Sequence, residues 1–121
     1  MTRVGKLAAT GIAVVLGLAL SGCGSDDTGG ATTETKTIVI TVSGDTITPN
    51  GDRIEVAAGQ PIELVVTADA PGEIHVHSTP EQEIEYDAGT STKTIDGIDR
   101  PGIVDVESHT LDQVIVQLEV R

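Results

Sequence analysis

The chain has 121 residues with no phenylalanine, no tryptophan, one tyrosine, one cysteine and one methionine. A single cysteine has no intramolecular partner, which excludes an internal disulfide. The near absence of aromatics means that a core must be built from Ile, Val and Leu. Basic residues are also few, 7 Lys and Arg against 19 Asp and Glu, for a formal net charge of −12. Such a chain repels a phosphate backbone, so nucleic acid is excluded as a partner. Enzyme signatures are missing as well. No Gly-rich phosphate loop follows a strand, no Ser/His/Asp spacing stands out, and no cysteine nucleophile is available. The sequence therefore reads as a binding protein rather than an enzyme.

The first residues are "MTRVGKLAATGIAVVLGLALSGC". Arg3 and Lys6 form a positive start, Leu7 to Leu20 is apolar and uncharged, and small residues close the segment, as in a secretory signal. Fourteen helical residues reach roughly 21 Å, short of the roughly 30 Å hydrocarbon core, which disfavours a spanning helix. The end of the segment, Leu20-Ser21-Gly22-Cys23, resembles the lipobox of bacterial lipoproteins, in which the cysteine is acylated and becomes the first mature residue. This resemblance implies a signal peptide over 1–22, a lipid on Cys23, and an extracytoplasmic domain anchored to the bacterial cell membrane. Two or three acyl chains hold a protein stably where one chain is marginal. Without residues 1–22 the chain keeps five basic and nineteen acidic side chains, a net charge of −14. Only the anchor is then expected to enter the membrane.

Residues 23–35 read as a lipidated flexible linker, because "GSDDTGGATTET" is small, polar and without hydrophobic periodicity. Residues 36–121 change to β-branched residues at period two. The runs "KTIVITV", "RIEVA", "PIELVVTA", "EIHVHS", "QEIEYD", "TSTKTI", "GIVDVES" and "QVIVQLEV" are separated by turn residues such as "TPNG", "DAPG" and "RPG". No stretch here has a helical period and no internal repeat is visible. The spacing predicts an all-β domain, an antiparallel Greek-key β-sandwich of seven to eight strands. Its expected core is Ile38, Ile40, Val42, Ile54, Val56, Ile62, Leu64, Val66, Ile74, Val76, Val104, Val106, Val114, Val116, Leu118 and Val120. Each is worth about 1.5–3 kcal/mol when fully buried.

The chemistry lies in the three histidines, two of them in "GEIHVHS". On a strand, Ile74 and Val76 share one face while Glu73, His75 and His77 share the other. In "GIVDVESHT" the same alternation puts Asp105, Glu107 and His109 together. If the two strands are neighbours, a set of imidazoles and carboxylates converges that suits copper, zinc or nickel. Two other readings stand beside this one: a solvent-facing strand surface without function, and a proton-sensing patch. The carboxylates of "PEQEIEYD" read as a solvated strand edge.

The region from Lys36 to Arg121 resembles the cupredoxin-like family, in particular the cupredoxin-like part of periplasmic iron-uptake lipoproteins. The resemblance rests on "IEVAAGQPIELVVTADAPGEIHVHS" and on "DRPGIVDVESH" followed by a last strand. It implies that His75 is the first copper-ligand histidine, with His77 as the alternative. The ligand cysteine of the family falls on Ser108, and its second loop histidine falls on Leu111. The only methionine, Met1, belongs to the signal segment and supplies no axial ligand. A blue copper centre needs a thiolate, and an acylated Cys23 cannot provide one. What the resemblance leaves is a non-thiolate copper or zinc site from His75, His77, Glu107 and His109. The alternative is a degenerate cupredoxin or immunoglobulin-like domain that contacts another envelope protein without metal.

Overall fold

In the computed structural model the described residues are 34–121, and they form nine β-strands in two sheets. The signal segment, Cys23 and most of the linker lie outside the described residues. The strands are β1 (Lys36–Ser43), β2 (Thr46–Thr48), β3 (Asp52–Val56), β4 (Ile62–Ala68), β5 (Gly72–Val76), β6 (Gln82–Tyr86), β7 (Gly89–Ile95), β8 (Gly102–Ser108) and β9 (Gln113–Val120). The sheets have the orders β2-β1-β4-β7 and β3-β9-β8-β5-β6. The short β2 is the strand that the sequence pattern does not anticipate. It folds back on β1 through Gly44-Asp45, with Gly44 at φ 59° at the first turn position, where a type II′ hairpin needs it.

Two pairings are parallel, β1 with β4 and β3 with β9, where an antiparallel sandwich is expected. The chain between β1 and β4 passes through β3 in the opposite sheet, and β4 returns beside β1 in the same sense. The register of that pair stacks Ile38 on Leu64, Ile40 on Val66 and Val42 on Ala68. All six side chains are buried.

The core follows the period-two pattern with instructive exceptions. Ile54 is only half-buried because β3 is an edge strand. At the other end of the alternation, the β8–β9 register shifts between Val106 and Glu107, so that Val116 pairs with Val106 but Val114 pairs with Glu107. Ile115 is left unpaired in this bulge, and both Ile115 and Val116 are fully buried while Val114 is not. Tyr86, Ile47, Ile95 and Ile98 complete the interior.

Gly72 opens β5 where the backbone passes close to Tyr86. A Cβ there would collide with the Tyr86 hydroxyl and come within 2.9 Å of Thr110 Oγ1. Ser108, a fully buried polar residue, lies beside that hydroxyl. Burial holds the Tyr86 hydroxyl above its ordinary pKa of 10.0, and the neighbouring Ser108 hydroxyl opposes that shift. Ser108 Oγ also accepts the Leu111 N–H at 3.2 Å, which ties down the β8–β9 loop that carries His109.

Candidate metal centre

β5 and β8 are antiparallel neighbours, with His75 directly opposite Glu107 and Val76 opposite Val106. The ladder continues past both strands: the His77 N–H donates to Asp105 O at 2.9 Å and the His109 N–H to Glu73 O at 3.0 Å. Ile74 and Val76 point inward and are fully buried. Alternation therefore turns Glu73, His75 and His77 to the outer face of the five-stranded sheet, beside Glu107 and His109.

The cluster divides into two groups. In the first, one ligand atom each from Glu73, His75 and His109 lies within 4.8 Å of the others. The His75 and His109 rings are stacked, with centroids 4.5 Å apart and planes inclined by 10°. His75 Nε2 meets Glu73 Oε1 at 2.5 Å, and His75 Nδ1 faces Glu81 Oε1 at 3.5 Å. In the second group, His77 Nε2 pairs with Glu107 Oε2 at 2.9 Å, while His77 Nδ1 lies 4.0 Å from Glu81. The His77 ring is 6.4 Å from that of His75 and steeply inclined to it. Asp105 is engaged elsewhere, accepting from Gln117 Nε2 at 3.0 Å.

Of the four ligands anticipated from sequence, the structure thus brings His75 and His109 together and places His77 and Glu107 alongside as a pair of their own. The carboxylate that joins the two stacked imidazoles is Glu73. Its signal was legible, since it lies two residues before His75 on the same strand face. Glu81 approaches from the segment before β6, and no strand periodicity reveals that.

Carboxylates on both nitrogens set the electrostatics of His75. A protonated ring donates from Nε2 to Glu73 and carries its positive charge beside Glu81. The His75 pKa is accordingly raised above 6.5. The hydrogen bond that the ring donates to Glu73 is the largest cause, partial desolvation opposes it, and the charges of Glu73, Glu83 and Glu81 add to it. A cation at Nε2 would replace one proton and leave Nδ1 beside the Glu81 carboxylate, which is where ligated imidazoles often find a carboxylate. Two imidazoles and one carboxylate form a donor set for copper, zinc or another transition metal. Beside the group a cleft of about 430 Å³ is lined by Pro71, Glu73, Glu85, Asp87, His109 and Thr110.

One expectation carried by the resemblance changes. Ser108 is opposite Ile74 and fully buried on the inner face, whereas His75 is opposite Glu107 on the outer face. The two positions lie on different sides of one sheet and cannot meet at a single ion.

No protein-family model and no curated protein matches the sequence. Solved structures do match the fold. A proline-to-glycine mutant of amicyanin in its reduced Cu(I) form at pH 4 aligns with a TM-score of 0.51 and 9% identity over 70% of this chain and 82% of that one. The blue copper oxidase from Nitrosomonas europaea gives 0.53 at 16% identity, over 73% of this chain but 44% of that one. A purple cupredoxin from Nitrosopumilus maritimus gives 0.50 at 13% identity, over 71% of this chain and 99% of that one. At these identities the likeness is one of fold, and the chain carries a cupredoxin-like Greek-key β-sandwich.

Proposed function

We propose that the protein is a membrane-anchored, extracytoplasmic metal-binding protein, and that its sandwich takes a divalent ion, copper or zinc, on the outer face of the five-stranded sheet. The ligands are Glu73, His75 and His109, with His77 and Glu107 assisting from the adjoining pair. It acts by binding, not by catalysis. The observation that carries the reading is the meeting of two imidazoles and a carboxylate within 4.8 Å on neighbouring strands. The solved structures that share its fold include amicyanin in a Cu(I) form and a blue copper oxidase, which supports copper as the first metal to test. The acidic outer face, with Glu83 and Glu85 opposite His75 and Glu73 and with Asp105 on the adjoining strand, favours the approach of a cation.

Titration of the full chain in detergent micelles with Cu(II) and with Zn(II) tests this. One tight site is expected, absent from the His75→Ala, His109→Ala double variant and weakened about tenfold by His77→Ala, the scale of an outer-shell effect. Binding that survives the double variant, or no binding by the parent, refutes the proposal.

A further inference from the structure

The stacked rings hold a contradiction that a static site cannot resolve. An imidazole nitrogen donates through a lone pair in the ring plane, and a zinc ion lies in that plane about 2.0–2.1 Å from the nitrogen. The planes of His75 and His109 are inclined by only 10° and lie a stacking distance apart. Planes so nearly parallel intersect far outside the site, so no point close to both rings lies in both planes. An ion cannot be ligated well by His75 and His109 while the stack persists.

One ring has to turn, and the structure distinguishes them. His75 belongs to β5, with β6 on one side and β8 on the other, and its side chain is only 16% exposed. Both of its nitrogens face carboxylates. His109 is exposed, follows the last residue of β8, and its ring makes no hydrogen bond or ion pair with any described residue. Its backbone, in contrast, is pinned by the bond to Glu73 O and by the Ser108–Leu111 contact. Rotation about the side-chain bonds alone can therefore move the ring without moving the loop.

Resting on the metal-binding reading above, we infer that His109 is a moving ligand: without an ion it lies on His75 and caps it, and ion capture turns its ring out of the stack to complete the site. Glu73 changes partner in the same event, giving up its hydrogen bond with His75 Nε2 for the ion while the displaced proton passes to water. The stacked arrangement competes with the ion, which lowers the apparent affinity by the fraction of open molecules. That suits a site that takes up and releases its cargo, in contrast to one that holds a permanent cofactor.

The chain has three histidines, so ring-labelled histidine yields three resolvable sets of NMR signals from the full chain in detergent micelles. In the metal-free protein the His75 and His109 ring protons are expected to show mutual ring-current shifts. Adding Zn(II), a diamagnetic probe, is expected to abolish those shifts and to move one ring nitrogen of each to a coordinated position. Two variants separate a moving ligand from a fixed one. His109→Ala removes donor and cap together, whereas His109→Phe removes the donor but keeps an aromatic cap on His75. His109→Phe has no donor to turn toward the ion, so its ring-current shift on His75 is expected to persist in Zn(II), and both variants are expected to bind Zn(II) more weakly than the parent. Zn(II) bound by the parent with the ring-current shifts intact, or bound by either variant as tightly as by the parent, overturns the moving ligand and leaves metal binding standing. No Zn(II) binding by the parent overturns both.

Discussion

His75 is the residue on which the electrostatics of the outer face converge, and its protonation is linked to folding. Its folded pKa lies above 6.5, chiefly through the hydrogen bond to Glu73. A cationic group with a raised folded pKa stabilises the fold fully below its unfolded value, and that contribution is lost as pH rises through the folded value. The metal-free protein is therefore expected to lose stability relative to Glu73→Gln as pH is raised from below 6.5 through the His75 titration. Chemical denaturation of the two proteins across that range measures it, and profiles that stay parallel would contradict the assignment. Glu73 and Glu81 show how unevenly sequence reveals such partners. Strand alternation places Glu73 beside His75, whereas Glu81 arrives there only through the path of the chain between β5 and β6.

At the scale of the element, parity decides which side chains share a site. A single step along β8 separates Glu107, on the histidine face, from Ser108, in the interior against Tyr86. Ser108→Cys is thus expected to place a thiol in the core and not on an ion held by His75. Visible absorption of that variant with Cu(II) should lack an intense thiolate-to-copper band, and a blue or purple colour would show the two faces to be connected. Its stability should fall by about 1 kcal/mol, the net worth of a hydrogen bond lost or weakened at Ser108. Parity is readable from sequence as long as a strand stays regular, and β5 and β8 do. It failed on β9, where the bulge at Ile115 exchanges the roles of Ile115 and Val114. Nothing in "QVIVQLEV" marks the position of that extra residue, because three consecutive β-branched residues fit either alternation.

For the whole molecule, the sandwich buries an aliphatic interior and leaves an acidic exterior, with a formal charge of −12 on the full chain. Acidic surfaces keep such a domain off anionic headgroups, so attachment depends on the proposed lipid at Cys23. Cys23→Ser is expected to move the protein from the membrane fraction to the soluble fraction, as measured by fractionation of cells producing each form. A variant retained on membranes would argue against the lipid anchor. The likeness to amicyanin and to the purple cupredoxin, at 9% and 13% identity, joins this chain to them by architecture alone. What the outer face binds depends on its own side chains, because one fold carries many sites.

Sequence alone determined the all-β class, most of the aliphatic core and the face shared by Glu73, His75 and His77, because each follows from local alternation and composition. It also singled out His75 and His109 as candidate ligands, without showing that they would touch. The tertiary structure decided that β5 and β8 are neighbours, that Glu73 joins the two rings while His77 pairs with Glu107, and that Ser108 faces inward. Those facts depend on strand order and register, which arise from the packing of residues distant in sequence.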